Sequence, residues 1–75
     1  MDQLDAAARA NLERLEKGTV LLDMRYASDR MRIPGYLKLY DLGYCTLTET
    51  GPGDSIHIFK LTPAGAAALA ARRGG

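Results

Sequence analysis

One cysteine, one histidine, one phenylalanine and a net charge of +1 leave this 75-residue chain few of the usual chemical signatures. With Cys45 alone there is no internal disulfide, which fits a reducing compartment. No apolar run nears the roughly 18 residues that a membrane span needs. The opening Met1-Asp2-Gln3-Leu4-Asp5 is acidic and polar, the opposite of a basic signal-peptide start. A cytoplasmic protein without membrane contact is expected. His57 has no cysteine or acidic residue at metal-ligand spacing and reads as a solvent-facing strand histidine. Cys45 beside Tyr44 reads as a small buried hydrophobe, with no triad to activate it. Gly51-Pro52-Gly53 is a hairpin turn, not a phosphate loop. No enzyme activity, metal or cofactor is expected.

What is present suits one small folded domain over residues 1–75. The apolar fraction is 47% and the charged fraction 25%, ordinary for a globular fold. A chain this short buries only about 60% of its unfolded surface, so a partner surface would help it. Charge is uneven along the sequence. Residues 25–38 carry Arg25, Arg30, Arg32 and Lys38 against Asp29, a local +3, and residues 39–55 carry Asp41, Glu49 and Asp54, a local −3. The basic stretch is modest beside that of a strong nucleic-acid binder.

In chain order, Leu4, Ala8, Leu12 and Leu15 recur at helical spacing from Asp2 to Lys17, with Gly18 as the stop. Thr19 to Ala27 fits two patterns. Val20, Leu22, Met24 and Tyr26 alternate as in a strand, while Val20, Leu21, Met24 and Ala27 fit one helix face. Ser28-Asp29-Arg30 reads as a turn or cap. The next helix is expected to begin at Pro34, tolerated at a first helical position, and to end before Gly43. Tyr44–Glu49 and Ser55–Lys60 are β-rich around Thr50-Gly51-Pro52-Gly53-Asp54, an antiparallel hairpin. Thr62 caps a last helix with Pro63 at its first position, docked by Leu61, Ala66 and Leu69.

Two phrases in this order carry a resemblance. Leu39-Tyr40-Asp41-Leu42-Gly43-Tyr44, then a hairpin, then Leu61-Thr62-Pro63-Ala64-Gly65 is similar to the winged helix-turn-helix layout of MarR-like and PadR-like regulators and small phage proteins. There a helix ends in Leu-x-x-x-Gly-[Leu/Tyr], a wing follows, and the chain closes on Leu-Thr-x-x-Gly. The resemblance covers residues 33–69 well and residues 1–27 by element order. It implies an α+β fold, a small winged helix-turn-helix of three helices with a β-hairpin wing in the C-terminal half. Residues 19–27 would then be the second helix and 34–42 the recognition helix. The implied function is a DNA-binding transcriptional regulator, a possible homodimer through its first and last helices, that meets double-stranded DNA with Arg25, Arg30, Arg32, Gly35 and Lys38.

The residues of the central helix point to an alternative. Five of the seven from Tyr36 to Leu42 are apolar or aromatic, where a DNA-reading helix offers hydrogen-bonding groups to base edges. The stretch from Thr48 to Ser55 around the turn carries Glu49 and Asp54 and no basic residue. A helix apolar nearly all round is buried in its own core or against a partner. The alternative is a winged-helix protein-interaction module, such as a phage or mobile-element adaptor or inhibitor, that docks a protein partner on Tyr36, Leu37 and Tyr40.

Overall fold

A computed structural model describes residues 5–74, with side chains through residue 71. The fold is α+β, with three helices and a three-stranded antiparallel sheet. Helix α1 spans Ala6–Lys17. The Asp5 carboxylate accepts the Ala8 N–H at 2.8 Å, which satisfies one orphan donor of the first turn. Ala8, Leu12 and Leu15 form its buried side, as their spacing predicts. The expected contributions of Asp2 and Leu4 lie outside the described residues.

After Gly18 the chain forms strand β1, Val20–Asp23. Val20 and Leu22 enter the core while Leu21 faces out. The strand pattern wins because β3 (Ile56–Leu61) supplies a ladder, from Val20 opposite Phe59 to Asp23 opposite Ile56. The second helix that the resemblance places at 19–27 is therefore absent.

A single helix, α2, follows over Ala27–Asp41. It starts seven residues before Pro34, so the expected start at Pro34 is corrected. An interior proline removes one hydrogen bond and costs about 3 kcal/mol. Here the first turn is held from outside the helix. The Asp29 carboxylate accepts the Asp23 N–H at 2.9 Å, and the Arg30 guanidinium donates to the Met24 carbonyl at 3.1 Å. Pro34 itself is exposed, so water can reach the carbonyl of Arg30 that it leaves unpaired. Where the two-helix motif has a turn, this chain has one continuous helix.

The C-terminus of α2 is closed by two backbone bonds. Tyr44 N–H reaches the Leu39 carbonyl and Gly43 N–H the Tyr40 carbonyl, both at 2.9 Å. Gly43 sits at φ 79°, the left-handed conformation that this closure requires. Strand β2 (Cys45–Thr50) and β3 then form the hairpin, with a single 3₁₀ turn at Pro52–Asp54. Both strands lie one residue later than the sequence pattern predicts. The sheet order is β1-β3-β2.

Helix α3 spans Pro63–Gly74. Its cap is also a joint. Thr62 Oγ1 accepts the Gly65 N–H at 3.1 Å and donates to the Gly43 carbonyl at 2.7 Å, while the Thr62 N–H reaches the Tyr44 carbonyl at 3.1 Å. Gly65 is buried where a Cβ would stand 2.2 Å from the Tyr44 carbonyl oxygen. The two sequence phrases thus touch each other across the end of α2 and the start of α3. Leu69 docks α3 fully, with Leu61 and Ala68 partly buried beside it; Ala66, expected among these, is exposed.

The core gathers Leu12, Leu15, Val20, Leu22, Tyr36, Leu39, Cys45, Phe59 and Leu69. The Tyr36 ring stacks on Phe59, centroids 5.3 Å apart, and the buried Cys45 thiol donates to the Tyr36 carbonyl at 3.7 Å. Burial pushes that thiol from an ordinary 9.0 to about 11, the chemistry of a packed hydrophobe and not of a nucleophile. No helix among the described residues is long and apolar enough to cross a membrane.

Candidate functional site

The structure does not bring the expected site residues together in one place. Tyr36, expected at a protein interface, is 1% exposed and belongs to the core. Its phenol is raised by burial, and the charges of Arg14 and Arg32 partly counter that shift. Gly35, expected against DNA, turns toward α1, where a Cβ would stand 2.6 Å from Asn11 Nδ2. The missing side chain lets the two helices approach closely.

Arg25 is committed to a structural pair at the end of β1. Its Nε and Nη2 reach Oδ1 and Oδ2 of Asp23 at 3.0 and 2.7 Å, in the fork geometry that suits a carboxylate. The hydrogen bonds from Arg25 hold the Asp23 carboxyl below its usual range. Arg30 is exposed and bonds the Met24 carbonyl. Lys38 is exposed, 4.0 Å from the Asp5 carboxylate. Arg25, Arg30 and Lys38 are therefore engaged within the fold to different degrees.

Arg32 does converge with others. It lines an open groove of about 460 Å³ together with Arg14 and Lys17 of α1, the stretch from Gly18 to Leu22, and Asp29. Among the described residues, no salt bridge engages Arg14, Lys17 or Arg32. Sequence reading missed Arg14 and Lys17 as site residues. Their three-residue spacing puts them on one side of the last turn of α1, but only the folded chain brings that turn to the same groove as Arg32 of α2.

The outward side of α2 carries the other candidate surface. Arg30, Ile33, Leu37 and Tyr40 are spaced by three, four and three residues, one stripe along the helix, and Tyr26 precedes it at the N-cap in an extended conformation. Tyr26 is 61% exposed, Tyr40 46% and Leu37 37%, while Ile33 packs partly on the core beneath them. Met31, at 83% exposure, stands to one side. Leu37 and Tyr40, expected at a protein interface, thus face solvent, and Tyr26 is exposed as they are while Tyr36 is not.

His57, expected to face solvent, points to the Phe59 side of the sheet. Its side chain is 17% exposed, its Nε2 lies 3.5 Å from Glu49 Oε2, and its Nδ1 is buried without a partner. Among the described residues no three His, Cys, Asp or Glu side chains group to hold a metal. No family model, curated protein or solved structure matches the chain.

Proposed function

We propose that this protein is a small winged-helix-like interaction module that docks a protein partner on the outward stripe of α2. The winged-helix reading draws its support from the element order, the β1-β3-β2 sheet and the joined phrases at Gly43 and Thr62. The observation that carries the docking reading is the exposure of Leu37 and Tyr40 on one stripe of α2, with Tyr26 exposed at its N-cap. Tyrosines and aliphatics so placed concentrate binding energy at interfaces. On that side α2 offers bases few hydrogen-bonding groups, and the hairpin, with Glu49 near the end of β2 and Asp54 in the turn, would be repelled by phosphates.

A photo-cross-linking residue substituted at Tyr40, in the cells that make the protein, tests the reading. The expected result is a discrete protein adduct that Leu37→Asp abolishes while the fold persists. Absence of such an adduct, or one indifferent to Leu37→Asp, overturns it.

A second reading, a duplex-DNA-binding regulator, is favoured by the convergence of Arg14, Lys17 and Arg32. Three cations on one groove would neutralise phosphates without reading sequence. It requires duplex binding that falls steeply with salt and weakens on Arg32→Ala. Salt-independent or absent binding overturns it.

A further inference from the structure

We propose that the groove beside β1 takes an extended acidic segment of another protein, added as a strand to the open edge of the sheet. The ladder gives the direction of each backbone group. Met24 donates its N–H to the Ser55 carbonyl at 2.7 Å, so residues of the same parity, Leu22 and Val20, turn their backbone groups toward β3. Leu21 and Asp23 turn theirs away. The Asp23 N–H confirms the parity, since it bonds the Asp29 carboxylate on the far side from β3. That bond also blunts one end of the edge. The Leu21 N–H and carbonyl remain aimed outward, in a strand with β3 on one side only.

An edge strand with unspent backbone groups is a template for another strand. Three features fix the chemistry of the occupant. The groove runs along Thr19, Val20, Leu21 and Leu22 and is roomy enough for a short extended segment. Arg14, Lys17 and Arg32 stand around it, and its one carboxylate, Asp29, is already bonded to Asp23 N–H. Leu21 is 56% exposed beside it, an apolar side chain available to a neighbouring strand residue. Backbone bonds to Leu21 would set the register, and carboxylates on the incoming strand would reach the three cations. This site is separate from the α2 stripe, so either can fail without the other.

The test uses the full chain labelled for NMR and three probes: a synthetic peptide alternating valine and glutamate, its valine–lysine counterpart, and a short duplex DNA. The acidic peptide is expected to shift the Thr19 and Leu21 amide resonances and to slow hydrogen exchange at Leu21. Binding is expected to weaken at least about tenfold in Arg32→Glu, equivalent to about 1.4 kcal/mol. The same loss is expected in Leu21→Pro, which deletes the outward N–H. An outward-facing N–H on an edge strand can be replaced by proline without breaking the ladder, and unchanged His57 and Phe59 amide resonances verify this. Should Leu21→Pro fail to fold, the Leu21 exchange rate in the parent chain decides instead. No shift at Leu21, equal binding of the lysine peptide, or displacement of the peptide by duplex with Leu21→Pro indifferent would each overturn the proposal.

Discussion

Along α2, the side that meets the sheet and the side that meets solvent carry the same kinds of residue. Tyr36 and Leu39 are 1% and 0% exposed; Tyr40 and Leu37, one step round the helix, are 46% and 37% exposed. The inward pair is locked by Phe59 stacking and by the core around Leu12 and Leu69. The outward pair contributes little to that core. A side chain's burial in this helix thus depends on its angular position and not on its chemistry, and the outward residues stay exposed to solvent.

The same contrast separates the joint from the surface. At the joint, Gly65, Thr62 and Gly43 satisfy backbone groups at nearly van der Waals limits. Gly65→Ala should therefore give the largest effect of any small substitution. A methyl 2.2 Å from the Tyr44 carbonyl oxygen forces the start of α3 away from the backbone that joins α2 to β2. A loss of about 3 kcal/mol or more is expected in chemical denaturation. A loss under about 1 kcal/mol would mean the joint is loose, and the distinction between joint and surface would fail.

Next in size is an alkaline effect confined to the inner side. Cys45 ionises near 9.0 when unfolded and at about 11 when folded, so its burial favours the native state fully below pH 9. That contribution falls as pH rises from 9 to 11, by about 2–3 kcal/mol, because only the unfolded thiol ionises there. Tyr36, raised by burial from 10.0, adds to the decline in the same direction. Denaturation midpoints measured from pH 8 to 11 check this, and Cys45→Ala should flatten part of the slope.

Thr62→Ala removes the cap of α3 and the bond to the Gly43 carbonyl together. The expected loss is about 1–2 kcal/mol, read as a lower unfolding midpoint with an unchanged m-value.

Much of this architecture was legible in the sequence, and the failures have physical causes. α1, the hairpin and α3 each announce themselves through local periodicity or turn chemistry. β1 does not, because the partner that makes Val20–Asp23 a strand lies more than thirty residues away, at Ile56–Phe59. Pro34 misled through a sound local preference for first helical positions. The bonds that hold the preceding turn come from Asp23 and Met24, outside the helix. The apolar residues around α2 left its phase undefined, so Tyr36 and Tyr40 were indistinguishable before the core was known. The joined phrases at Gly43 and Thr62 were read for what they resemble. Their residue choices follow from the backbone contact they make with each other. The cationic groove was invisible because Arg14 and Arg32 meet only in the folded chain.

The most direct test of the account compares thermal and chemical unfolding of Tyr36→Ala with Tyr40→Ala in the same buffer. Truncating Tyr36 should cost about 3–5 kcal/mol, as for a buried aromatic. Truncating Tyr40 should leave stability within about 1 kcal/mol of the parent, consistent with its 46% exposure. Comparable losses from the two would show that both tyrosines are core and that α2 has no face to spare for a partner.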